Sequence, residues 1–130
     1  MASMLAERFM RAVQRFERTD DLGPLLELFH ERCEALTLGR TEPARGIREV
    51  EGFWRDYRSA FRGIHSEFTH VVEDQAGAVL EWVFRGALAN GEPVQCKGVS
   101  VLETDGGRVR RLRMYYDSAM SPHGGAKQGG

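Results

Sequence analysis

The chain has 130 residues, a formal net charge of -1, 42% apolar and 28% charged side chains, a balance that excludes a disordered chain, a coiled coil or a membrane protein. The length fits one domain able to close its own core, and no apolar run approaches the roughly 20 residues of a spanning helix. A charge so near zero supplies no field to draw in nucleic acid or an anionic membrane, so neither is expected as a partner.

From Met4 to Arg18 the apolar residues Leu5, Phe9, Ala12, Val13 and Phe16 recur at steps of three and four, which predicts an amphipathic helix. Arginines 8, 11, 15 and 18 belong to that helix rather than to a transit peptide, because Glu7 and Glu17 interrupt them and no cleavable apolar core follows. Asp20 and Asp21 suit a helix cap, and Pro24 suits the first turn of a second helix carrying Leu25, Leu26, Leu28 and Phe29. The stretch from Cys33 to Leu38 predicts a brief edge strand, and Gly39, Pro43 and Gly46 mark a loop. A third helix is predicted from Ile47 to Arg62, with Val50, Phe53, Trp54, Tyr57 and Phe61 on one broad face.

Period-two runs then replace the helical pattern, predicting strands over 64–73, 78–88, 94–103 and 109–116. Asn90-Gly91 and Asp105-Gly106-Gly107 are sequences for tight antiparallel turns, so the strands form a meander. Leu80, Trp82 and Phe84 alternate with Glu81, Val83 and Arg85, and Leu112, Met114 and Tyr116 with Arg111, Arg113 and Tyr115. The apolar row of each is assigned to the inside. Val99 and Val101 are likewise assigned inward and Ser100 outward, with a bulge at Gly98. The outer face, with Val83 and Tyr115 among charges, suits a homodimer contact. The tail from 118 to 130, rich in Gly with Ser, Pro and Lys, is expected to be mobile, which leaves 1–117 as the domain.

Cys33 and Cys96 are isolated, which suits buried free thiols in a reducing compartment and hence a cytoplasmic protein. His65 and His70 fall on opposite faces of one strand with no third ligand in reach, so no metal is expected, and no phosphate-binding glycine loop calls for a nucleotide cofactor. The basic run Arg108, Arg110, Arg111, Arg113 lacks the interleaved aromatics of a single-strand binder.

Several motifs resemble the nuclear-transport-factor-like superfamily, and its SnoaL-like branch in particular. They are Glu42-Pro43 and Arg45-Gly46 before the third helix, then Glu81-Trp82-Val83-Phe84-Arg85-Gly86, Gly98-Val99-Ser100-Val101 and Arg113-Met114-Tyr115-Tyr116-Asp117. The resemblance implies a cone-shaped α+β barrel, three N-terminal helices packed on a curved antiparallel sheet, with a pocket for a small, mainly apolar ligand and frequent homodimers. Its members include cyclases, isomerases, epoxide hydrolases and domains with no known reaction, so the fold does not choose a chemistry.

Carried over by position, the resemblance places Thr37 where the steroid isomerases have their base and Val99 where they have their acidic donor. It places Trp82 and Phe84 on the strand that bears the Arg–Asp pair of limonene-type epoxide hydrolases, and Met114 where an aspartate serves those hydrolases and the SnoaL-type cyclases. None of these side chains transfers a proton in those roles. Asp117 lies three positions past Met114 and is read as a strand terminator that caps local backbone groups. His70, by its parity with Phe68, Tyr57 and Glu42 remain as acid–base candidates.

Three readings stay open. The domain binds a small apolar or aromatic molecule in a pocket lined by Trp54, Tyr57, Phe68, Trp82, Phe84, Val99, Met114 and Tyr116; or it is an isomerase, cyclase or hydrolase with atypical acid–base residues; or it is a structural dimerisation module with a filled interior.

Overall fold

The computed structural model describes residues 4–37, 39–117 and 121–122. Helix α1 (Met4–Thr19) buries Ala6, Phe9, Val13 and Phe16, which fall on one stripe at helical spacing. It stops at Asp20, whose φ of 64° is left-handed and whose N–H still bonds to the Phe16 carbonyl at 2.8 Å; aspartate tolerates that conformation better than most side chains. Asp21 then accepts the Gly23 N–H at 3.2 Å. Helix α2 (Gly23–Leu26) is a single turn opened by Pro24 rather than a helix reaching Phe29. The reason is the sheet: the Leu28 carbonyl accepts the Val109 N–H at 2.8 Å and Phe29 already pairs with Val109.

Strand β1 (Phe29–Thr37), the two-residue β2 (Ala44–Arg45) and helix α3 (Gly46–Ser59) follow. Then come β3 (Phe61–Glu73), β4 (Gly77–Leu88), β5 (Pro93–Asp105), β6 (Arg108–Tyr116) and β7 (Ser121–Pro122). The sheet runs β2-β1-β6-β5-β4-β3, with β7 against β5. β3 to β6 form the expected antiparallel meander. β1 is not an edge strand: it lies between β2 and β6 and pairs parallel with β6, so the curved, open sheet is mixed. The architecture is the α+β cone, three helices on a curved sheet. The mobile tail expected at 118–130 falls outside the described residues, except that Ser121 and Pro122 pair with Gln95 and Val94.

Two sequence expectations about side-chain direction change. β4 and β5 pair in unbroken register from Gly77–Glu103 to Ala87–Pro93, with no bulge at Gly98. Cys96, Ser100 and Leu102 therefore face inward and are buried, while Val99 and Val101 face the outer side. Gly98 shares the inner row because a Cβ there would collide with the Trp82 ring and lie 2.6 Å from the Tyr115 carbonyl. In β3 the register slips between Phe68 and His70. That bulge breaks the parity that joined the two, and His70 is exposed.

The buried residues form two clusters. The larger joins α1, α2, α3 and the central strands through Phe9, Phe16, Phe29, Trp54, Leu80, Leu102 and Leu112. The smaller holds Phe61, Ile64, Trp82, Phe84, Val94 and Cys96 at the other end of the sheet. Tyr57 and Phe68 pack against both.

Candidate functional site

At the seam between the two clusters the interior is not filled: a cavity of about 330 Å³ opens there, within the roughly 300–1,000 Å³ range of small-molecule sites. α1 contributes Phe9 and Val13, the end of β1 Thr37, and α3 Phe53, Trp54 and Tyr57. The sheet supplies Phe61, Ser66, Phe68, Trp82, Phe84, Ser100, Met114 and Tyr116, and the exposed Arg40 and Asp56 also line it. The aromatic wall is continuous. Trp54 meets Tyr57 edge-on at 5.7 Å, Tyr57 meets Phe61 at 5.8 Å, Phe61 meets Phe84 at 5.3 Å, and Phe84 stacks on Trp82 at 5.7 Å and 17°.

Seven of the eight pocket residues named from sequence, Trp54, Tyr57, Phe68, Trp82, Phe84, Met114 and Tyr116, line this cavity. Val99 does not; the β4–β5 register turns it to the outer face, and its buried neighbour Ser100 takes the inner position. Of the acid–base candidates only Tyr57 reaches the cavity. His70 is turned out by the β3 bulge, and Glu42 stays in the exposed loop beside Arg45 at 3.9 Å. Thr37 and Met114 line the cavity and offer no titrating group. Asp117 follows the last β6 residue, and its N–H donates to the Lys97 carbonyl at 3.2 Å.

The sequence reading missed the polar centre of the site. Glu17 on α1, only 3% exposed, accepts the Ser66 N–H at 2.7 Å, the Ser66 hydroxyl at 2.5 Å and the Tyr57 hydroxyl at 3.2 Å. Burial, then the Glu17 carboxylate beside it, push the Tyr57 hydroxyl well above its ordinary value, so it stays protonated. The Trp82 indole N–H donates to the buried Ser100 hydroxyl at 2.9 Å. The Trp54 indole N–H is buried with no partner among the described residues. A signal for Glu17 was present: Phe9, Val13 and Glu17 step by four along one row of the helix.

A cone of helices on a curved, open sheet is the fold of the nuclear-transport-factor-like class. Within it, the chain matches the SnoaL-like domain family over residues 6–112 and belongs to that family. Similar solved folds include a nuclear-transport-factor-like protein from Anabaena variabilis (TM-score 0.81, 16% identity, 90% of either chain covered). A candidate SnoaL-like polyketide cyclase from a Jannaschia species has a TM-score of 0.80 at 15% identity, covering 90% of this chain and 88% of that one. A Catenulispora acidiphila protein with a ketosteroid isomerase-like fold, solved in complex with trimethylamine, has a TM-score of 0.74 at 16% identity, covering 85% and 86%. At these identities the likeness is one of fold. No curated protein sequence gives a significant match.

Proposed function

We propose that the domain binds a small apolar or aromatic molecule between α1, α3 and the sheet, without the proton-transfer groups familiar from its relatives. The observation that carries this reading is the cavity itself: a domain whose only task was structural would gain by filling it, since empty volume beside packed side chains costs about 24 cal/mol per Å³ in measured core mutants. Aromatic walls with few polar atoms fit a ligand that is mostly ring. The trimethylamine bound by the Catenulispora neighbour supports small organic ligands as a class for this fold. Thermal-shift screening with steroids, terpenoids and aromatic polyketides tests the reading. A true ligand at a hundredfold its Kd adds about 2.7 kcal/mol to the folded state and raises Tm by several degrees. A panel with no shift would favour the structural module.

Two subordinate proposals accompany this one. The outer sheet face, where Val79 is 40% and Tyr115 45% exposed, suits a contact between two copies; light scattering that gave a monomer at micromolar concentration would dismiss it. The compartment we propose is the cytoplasm, where the free, buried Cys33 and Cys96 would stay reduced; export of the tagged chain from the cell would count against that. Among the described residues no helix is long and apolar enough to cross a membrane.

A further inference from the structure

The cavity has a polarity that its apolar walls conceal. A hydroxyl carries one proton. Tyr57 and Ser66, which also meet each other, both direct theirs to the same Glu17 oxygen, so on these two cavity-lining residues the hydroxyl oxygens have lone pairs and no proton to offer. Among the described residues no ion pair answers Glu17. Arg58, whose charge acts on Tyr57, is paired with Asp20 at 3.3 Å. The Ser66–Tyr57 corner is thus an acceptor site with a carboxylate behind it. The donors of the lining lie elsewhere: Ser100 accepts from Trp82 and keeps its own proton to give, the Trp54 N–H has no partner among the described residues, and the Arg40 guanidinium stands at the exposed end.

We propose that the corner formed by Tyr57, Ser66 and Glu17 takes a hydrogen-bond donor, a hydroxyl or an amine, carried on an aromatic ligand, and refuses a ligand carboxylate. The inference rests on the cavity being a ligand site and adds which substituent it selects. A donor entering the corner meets two lone-pair oxygens and the field of Glu17. A carboxylate is itself acceptor-only, so in this corner it would be buried against like charge with no donor to meet it. A ligand carbonyl, in contrast, is served by Ser100 and Trp54.

A matched series on one ring frame separates the two levels of the reading. Affinities of naphthalene, 2-naphthol, 2-naphthylmethylammonium and 2-naphthoate are measured with the full chain and with its Ser66→Ala and Tyr57→Phe variants, each checked for an unchanged circular dichroism spectrum. 2-Naphthol or the ammonium compound is expected to bind about tenfold tighter than naphthalene, which is the worth of roughly one buried hydrogen bond, and 2-naphthoate to draw nothing from the corner, so that its affinity does not fall in the Ser66→Ala variant. Whichever of the two donors gains more identifies the donor class. Ser66→Ala, a near-isosteric change, should bring the ratio of donor-compound to naphthalene affinity back toward one, and Tyr57→Phe should do the same where it folds. If naphthalene binds and the donor compounds bind no better, or if 2-naphthoate affinity falls in the Ser66→Ala variant, the acceptor corner is refuted while the cavity reading stands. If no member of the series binds, both are refuted.

Discussion

Glu17 shows how one residue can hold a cavity wall together without lining the cavity. Its two oxygens take three hydrogen bonds that tie α1 to α3 and to β3. Glu17→Ala should therefore leave the Ser66 and Tyr57 donors buried and unmatched, costing about 2 kcal/mol or more in a urea melt. Glu17→Gln, which keeps one carbonyl acceptor, should cost less; equal stability of all three proteins would contradict the network. In the sequence this residue was hidden among the alternating arginines and glutamates of a helix that otherwise reads as solvated. The aromatic residues were easier to recognise, because Trp54, Tyr57, Trp82 and Phe84 follow simple helical and strand periods and face inward in the structure.

At the scale of elements, sequence periods set the elements, and the errors came from bulges that the sequence hides and from one glycine that imitates a bulge. α1, α3 and the β3–β6 meander were legible because each keeps one period over most of its length, even though β3 and β5 carry local register shifts. β1 was not, because His30, Glu31 and Arg32 interrupt its alternation at an irregularity between Phe29 and Glu34, and its parallel pairing with β6 leaves no hairpin signature. The Phe68–His70 bulge hid the exposure of His70 in the same way. In β5 the error came from Gly98, which looks like a bulge but serves as clearance for the Trp82 ring. Gly98→Ala should consequently push that ring, lowering stability by about 1–3 kcal/mol and changing Trp82 emission in a Trp54→Phe background. An unchanged spectrum and melt would mean that the ring does not need the space.

Taken whole, the molecule separates an aromatic interior from a charged outer sheet. There Glu103 bridges Arg111 at 2.9 Å and Arg113 at 2.7 Å, and Arg111 also meets Glu34 at 3.5 Å. The Arg113 hydrogen bond holds the Glu103 carboxyl below its ordinary value. A depressed carboxylate stabilises the fold fully above its unfolded value, about 4.3, and that contribution fades as pH falls through the lower folded value. Wild type should therefore lose part of its advantage over Glu103→Gln between about pH 5 and pH 3. The effect should be small and weaken with salt, because the pair is partly exposed; a constant difference across that range would count against the bridge.

The central claim, that the seam between the two clusters is a ligand site, is tested most directly by methyl NMR with labelled methionine. Met114 lines the cavity, whereas Met10 packs against the core away from it. Adding an aromatic ligand that raises Tm should shift the Met114 methyl signal and leave that of Met10 in place. A ligand that stabilised the protein while Met114 stayed unmoved would show that binding occurs elsewhere and would overturn the assignment.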